Sequence, residues 1–240
     1  MTTIADNLKK VKDNIAAACW RSGRDPSEIK LVVVTKSADI EQIKELIRAG
    51  HTELGESRAQ RLEKVSQQIS EFLEDCRQQA TLPDKVNWHM IGHLQRNKVK
   101  KTLPLACMIH SLDSLRLAEE INDEAEKLGT KAAVLLQVNA SKEARKYGVH
   151  MGAAVHLAEH IQTMGSLKLR GLMTMAPLTD DQQQIRDCFR RLRELFLEMR
   201  GQMIGGQEFT ELSMGMSQDY ELAVEEGATM LRVGSAVFRG

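Results

Sequence analysis

The chain has 240 residues, enough for one sizeable core, and 33 lysines and arginines balance 33 aspartates and glutamates. A balanced charge gives no general attraction to nucleic acid or to an anionic membrane, and 4% aromatic residues are too few for a base-stacking surface. The sequence lacks a signal-peptide pattern and an apolar run of about 18 residues, and its four cysteines form no CxxC pair, so a cytoplasmic protein is predicted.

Helical and strand patterns alternate along the chain. An amphipathic helix is predicted at the N-terminus from the apolar spacing of Ile4, Leu8, Val11 and Ile15. Short β-branched or apolar runs then alternate with helical segments, several of which end at a glycine. The eight predicted strands cover residues 31–35, 52–54, 86–91, 106–111, 132–138, 168–174, 209–213 and 229–233.

The alternation of strands and helices predicts the architecture. Such an order requires parallel strands joined by right-handed crossovers, and eight strands can close into a barrel. We therefore predict one domain over residues 1–240, an α/β (β/α)8 TIM barrel with an extra N-terminal helix. A doubly wound open sheet is the alternative, but it ordinarily has fewer strands in this length, and no GxGxxG follows the first strand. The polar stretch 66–85 is predicted to extend the second helix at the surface.

Candidate chemistry lies at the predicted strand ends. Lys36 closes the apolar run of the first strand, at the end of the barrel where active sites gather, and its amine could form a Schiff base. The loops after strands seven and eight, 213–217 (SMGMS) and 232–235 (RVGS), combine glycines with hydroxyls and N–H donors. Together these features predict a phosphate site opposite a lysine.

A lysine and a phosphate site in one barrel are compatible with two chemistries. One is an aldolase-like imine with a sugar phosphate, and the other is pyridoxal 5′-phosphate (PLP) held as a Schiff base. Arg232 bears on the choice, because it shares a strand face with Gly234 and can project toward the barrel mouth. A guanidinium can only donate hydrogen bonds, so a pyridine nitrogen would be a suitable acceptor. A metal site is not predicted, because His89 and His93 form an HxxxH pattern without the glutamate of a zinc protease.

Five segments together resemble the pyridoxal-phosphate homeostasis family, whose members resemble the barrel domain of alanine racemase. The segments are 34–36 (VTK), 54–56 (LGE), 88–98 (WHMIGHLQRNK), 212–219 (LSMGMSQD) and 232–235 (RVGS). The match runs through nearly the whole chain, in the family's order. The resemblance implies PLP as the cofactor.

The resemblance also implies roles for individual residues. Lys36 matches the lysine that forms the Schiff base, Arg232 the arginine beside the pyridine nitrogen, and His89 a histidine lining the cofactor pocket. The implied phosphate-binding residues are Ser213, Met214, Gly215, Gly234 and Ser235, the last four through their backbone.

Two positions depart from the family pattern. Ser57 stands where the family usually has asparagine, so a short hydroxyl replaces an amide near the cofactor. The ending Phe238-Arg239-Gly240 replaces the more usual Phe-Gly.

Carrier and enzyme are the two function classes that remain. Alanine racemase uses a second base from a C-terminal domain, whereas this chain ends soon after its eighth predicted strand, and neither Tyr147 nor Tyr220 matches that base. An unprotonated pyridine nitrogen beside Arg232 would also be a poor electron sink. We therefore expect a monomeric, non-catalytic protein that buffers PLP or delivers it to PLP-dependent apoenzymes, with free amino acids as further partners. A racemase of weak activity is the enzyme-class alternative, and an imine-forming aldolase is the weaker alternative.

Overall fold

The computed structural model describes residues 3–76, 82–141, 143 and 146–239. The strands are β1 (Lys30–Val34), β2 (Glu53–Glu56), β3 (Asn87–Met90), β4 (Ala106–Leu112), β5 (Ala132–Asn139), β6 (Val149–His150), β7 (Leu167–Met173), β8 (Glu211–Ser213) and β9 (Met230–Val233). Parallel strands follow the order β4-β3-β2-β1-β9-β8-β7-β5, and pairing of β4 with β5 closes the ring into a barrel. The predicted TIM barrel is confirmed, and the closing pair rules out the open sheet.

Helices surround the barrel. They are α1 (Ile4–Arg21), α2 (Ile40–Arg48), α3 (Ala59–Asp75), α4 (Val99–Thr102), α5 (Leu115–Lys127), α6 (Met151–Gln162), α7 (Gln182–Gly201), α8 (Tyr220–Glu225) and α9 (Ser235–Phe238). Side-chain caps explain several starts: Asp39 and Gln42 form a capping box on α2, and Ser114 caps α5. The predicted N-terminal helix is confirmed as α1, and its Asn7 Nδ2 donates to Val237 O over 3.1 Å.

Two details differ from the sequence-based expectations. The short strand β6 was not predicted; its two residues pair with Val138 and Asn139 at the end of β5, a length too short to give a pattern. The polar stretch 66–85 continues α3 only to Asp75, and residues 77–81 of that stretch lie outside the described residues. Within the described part of the chain, no helix is long and apolar enough to cross a membrane.

The hydrophobic core has two parts, because the strands bury both faces. The larger part lies between the strands and the helices, as the near-continuous apolar run of β1 requires. The smaller part lies inside the barrel and consists of Val32, Met108, Leu135, Met173 and Met230. The remaining barrel interior includes buried polar side chains, and these connect to the candidate site.

Candidate functional site

A pocket opens where the barrel strands end. Its volume of about 450 Å³ falls within the range of about 300–1,000 Å³ common for small-molecule sites. Val34 and Lys36 line it from the end of β1, and Arg232 and Gly234 from the end of β9. This is the end of the barrel at which TIM barrels carry their active sites.

Lys36 stands on the turn that follows β1. The side chain is exposed at the pocket wall, and it makes no hydrogen bond or ion pair with any residue that the structure describes. Arg61 of α3 supports the turn, because its Nη2 donates to Thr35 O at 3.1 Å and to Ala38 O at 2.6 Å. The turn is therefore fixed on both sides of a lysine amine that remains available to a ligand.

Arg232 brings a positive charge to the pocket from inside the barrel. It is only 4% exposed, and its Nη1 donates to Ser213 Oγ over 2.5 Å while Nη2 donates to Thr174 O over 2.8 Å. Burial lowers the pKa of Arg232 to about 10, opposed by the negative charge of Asp219. The guanidinium thus stays protonated near neutral pH, with an orientation set by two acceptors.

Backbone N–H groups and a hydroxyl meet at the start of α9. Ser217 Oγ accepts from the backbone N–H groups of Gly234 at 3.1 Å and Ala236 at 3.4 Å. Gly234 packs closely against the end of β1, because a Cβ there would lie 2.9 Å from Val34 O. Ser217 and Ser235 also line the pocket. The hydroxyls of Ser217 and Ser235 are donors that suit an anion.

Comparison with known proteins identifies the family of this chain. The family model described as alanine racemase, N-terminal domain, matches residues 7–240. A pyridoxal phosphate homeostasis protein of Aquifex aeolicus is 36% identical over 233 residues, which cover 97% of this chain and 96% of that protein. The chain belongs to the pyridoxal phosphate homeostasis protein family. A member from Pseudomonas aeruginosa is also 36% identical, over 238 residues that cover 99% of this chain and 96% of the relative.

Solved structures give the same family fold. PipY of Synechococcus elongatus, whose structure was determined with PLP bound, has a TM-score of 0.80 and 32% identity. The match covers 98% of this chain and 100% of the PipY chain. An unknown protein from Bifidobacterium adolescentis has a TM-score of 0.89 and 37% identity, with 98% of this chain and 94% of the other covered. Alanine racemase of Clostridium difficile shares the fold, with a TM-score of 0.72 and 16% identity. The match covers 97% of this chain and 56% of the racemase chain.

Within this family fold, the predicted site residues fall into two groups. Lys36, Arg232, Gly234 and Ser235 line the pocket together. The other four, Ser213, Met214, Gly215 and His89, do not belong to its lining.

The second group lies behind the pocket wall. Ser213 is fully buried between Arg232 and His110, and His89 is 1% exposed inside the barrel. Met214 is also fully buried, and Gly215 has a φ of 92° with Ala223 Cβ only 2.5 Å from where its own Cβ would stand. These residues support the pocket from behind, and direct cofactor contacts for them remain predictions.

Four pocket features had no predicted role. His93 and Tyr147 stack with their ring centroids 4.7 Å apart, and both line the pocket. Ser57, in place of the family's asparagine, also lines it, as does Arg239, whereas Gly240 lies outside the described residues. The SMGMS motif offered a signal for Ser217, but nothing in the sequence predicts the contact between His93 and Tyr147.

Proposed function

We propose that this protein binds PLP through a Schiff base on Lys36 Nζ and buffers or delivers the cofactor, with little or no catalysis. The observation that carries the proposal is the shared pocket. One cavity is lined by Lys36, whose amine has no hydrogen-bond or ion-pair partner among the described residues, by the buried guanidinium of Arg232, and by Ser217 and Ser235. When bound, PLP would supply an aldehyde that reacts reversibly with amines. PLP bound to PipY, a relative, supports the assignment.

The residues of the pocket fit this cofactor in three places. Lys36 supplies the amine, and the exposure of its side chain leaves the amine free to react. Ser217, Ser235 and the backbone at Gly234 would bind the phosphate, and a larger residue at position 234 would displace that backbone, because its Cβ would lie 2.9 Å from Val34 O. Arg232 Nε–H makes no hydrogen bond within the described residues and would donate to the pyridine nitrogen.

Arg232 also argues against strong catalysis. A protonated pyridine ring withdraws electrons from a carbanion, but a guanidinium beside the nitrogen can only donate a hydrogen bond. The ring would therefore stay unprotonated and stabilise little negative charge. A carrier needs only reversible binding, and free amino acids or PLP-dependent apoenzymes would be the partners that take up the cofactor. We further propose that the protein acts as a monomer in the cytoplasm.

A weak PLP-dependent racemase is the second candidate function. It is favoured by one observation, the presence of Tyr147 and His93 in the same pocket, because both side chains can exchange protons. Incubation of the PLP-loaded protein with L-alanine in deuterated water separates the candidates. The carrier predicts negligible α-deuterium and D-alanine, whereas D-alanine formation that Tyr147→Phe abolishes, even at a rate below the roughly 1–10³ s⁻¹ usual for enzymes, would establish the weak racemase.

Titration of the purified protein with PLP, followed by visible absorbance, tests the binding mode. Wild-type protein should bind PLP with a saturable new band and bind pyridoxal, which lacks the phosphate, much more weakly. Lys36→Ala should lose the band but retain phosphate-dependent binding, while Lys64→Ala, an exposed lysine on α3, should behave as wild type. An unchanged band in Lys36→Ala would contradict the proposal.

A further inference from the structure

A chain of hydrogen bonds crosses the interior of the barrel from Arg232. Ser213 Oγ accepts from Arg232 and lies 3.1 Å from His110 Nδ1. His110 Nε2 is 2.9 Å from His89 Nδ1, and His89 Nε2 is 2.7 Å from Glu53 Oε2. Four contacts thus connect a cation in the pocket with a carboxylate elsewhere in the barrel.

The two residues at the ends of this series of hydrogen bonds lie at opposite ends of the barrel. Arg232 lines the pocket at the carboxyl end of β9, whereas Glu53 is the first residue of β2, at the amino end. Ser213, His110 and His89 between them are at most 1% exposed. The middle of this series of hydrogen bonds is thus closed to solvent. At its far end, Asn87 Nδ2 donates to the other oxygen of Glu53 over 2.6 Å.

The chemistry of the two ends favours one direction for the hydrogen bonds between them. Arg232 can only donate, so Ser213 accepts from it, and the Ser213 hydroxyl proton can then be donated to His110 Nδ1. His110 must then carry its proton on Nε2 and donate to His89 Nδ1. His89 in turn donates from Nε2 to Glu53, which as a carboxylate can only accept.

The charges agree with this direction. Partial burial raises the pKa of Glu53, but hydrogen bonds from His89 and Asn87 outweigh it and lower the pKa to about 2, so the group is ionised. Burial lowers the pKa of His110 well below its usual value, so this ring is neutral. In the reverse direction, His110 would donate from Nδ1 to Ser213 and His89 from Nδ1 to His110. His89 would then have to be an imidazolium to donate to Glu53 as well, and the Ser213 hydroxyl proton could not be donated to His110.

We propose that Glu53 is a positioning residue for Arg232, acting through the neutral Nε2–H tautomers of His89 and His110 and the hydroxyl of Ser213. Glu53 fixes His89, His89 fixes His110, and His110 keeps the Ser213 lone pair directed at the guanidinium. This inference rests on the proposed function only in its consequence, the affinity for PLP. The tautomers themselves are a property of the protein without cofactor.

The first test is ¹⁵N NMR of histidine-labelled protein without PLP. Both rings should be neutral and protonated on Nε2 in the wild type. Glu53→Met removes the acceptor and should give His89 a mixture of tautomers. Glu53→Gln keeps an acceptor oxygen for His89 and should retain the wild-type pattern. An imidazolium or an Nδ1–H tautomer at His89 in the wild type would overturn the proposal, and this measurement decides even if Glu53→Met fails to fold.

The second test is PLP affinity, measured by absorbance titration of the same proteins. Glu53→Met should bind PLP more weakly by about threefold to tenfold and shift the absorption maximum of the bound cofactor, because His110 no longer keeps the Ser213 lone pair directed at Arg232. Glu211→Gln is the matched control. Glu211 is also the first residue of a strand, but it accepts a hydrogen bond from Thr229, which is not one of the residues that connect Glu53 with Arg232.

The outcomes of the two tests are separable. Wild-type affinity, absorption maximum and tautomers in a folded Glu53→Met would overturn the positioning role. Failure of wild-type protein to bind PLP would instead contradict the proposed function. The histidine tautomers would still show whether Glu53 sets the direction of the hydrogen bonds that lead to Arg232.

Discussion

The guanidinium of Arg61 donates to the buried carboxylate of Glu56 over 3.0 Å and, from the same side chain, to both sides of the turn that carries Lys36. Glu56 Oε1 also accepts from Thr35 Oγ1 over 2.6 Å. Glu56 Oε2 is buried without a hydrogen bond from any described residue. Arg61 therefore both balances the charge of Glu56 and holds the lysine turn, so that α3 supports the site without lining it.

Replacement of Arg61 by methionine should loosen this turn. The carbonyls of Thr35 and Ala38 would lose a donor, and Glu56 would be left as a buried charge, at a cost of about 1–3 kcal/mol of unfolding free energy. PLP affinity should fall by about tenfold because Lys36 is no longer held in position. Arg58→Met is the control, since Arg58 is exposed and makes no side-chain cap hydrogen bond to the same helix. Equal affinity in the two variants, measured by titration, would exclude a role for Arg61 at the site.

Gly234→Ala should weaken the binding of PLP through its phosphate. The added Cβ would stand 2.9 Å from Val34 O and 3.2 Å from Val34 Cβ, so the backbone at the start of α9 must move. We expect about a tenfold loss of PLP affinity, equal to about 1.4 kcal/mol, with a smaller effect on pyridoxal. Gly165→Ala is the control, because a Cβ there meets no atom within 4 Å. Equal losses for PLP and pyridoxal would show that the phosphate does not bind beside Gly234.

His51 should make stability depend on pH. Burial lowers the pKa of His51 to about 4, whereas the unfolded value is 6.5, so the unfolded chain binds more protons between these values. Stability should therefore be complete above pH 6.5 and fall as the pH drops toward 4, by roughly 3 kcal/mol for this group.

Urea unfolding at pH 7 and pH 4.5 measures the effect. His51→Gln should reduce the loss of unfolding free energy between pH 7 and pH 4.5. His156→Gln is the control, because the His156 ring is exposed, and it should lose as much unfolding free energy as the wild type. A decline of wild-type size in His51→Gln would assign the pH dependence to other groups, of which buried His110 is the first to consider.

Local sequence patterns were sufficient for the barrel and for part of the site. The apolar run before Lys36 and the glycine after β9 carried enough local signal to predict where Lys36, Arg232 and Gly234 would meet. The depth of a side chain in the barrel is set by register between strands, which no local pattern reports. For this reason Ser213, from its motif, and His89, from the family resemblance, could be predicted near the site but not placed behind its wall.

Contacts made by distant segments were the other part that the sequence could not provide. Tyr147 stacks on His93, and β6, two residues after Tyr147, pairs with the end of β5. Arg61 reaches the Lys36 turn across 26 residues of sequence, from Arg61 to Thr35. Neither pairing follows from spacing or composition, since each depends on the packing of complete elements.

The most direct test of the proposed function is borohydride reduction of the PLP-loaded protein followed by peptide mapping. Reduction converts a Schiff base into a stable secondary amine and marks the lysine that formed it. We predict one labelled peptide, containing Lys36, in wild-type protein and in Lys64→Ala, and no label in Lys36→Ala. Label on a different lysine, or no label at saturating PLP, would contradict the proposed binding mode.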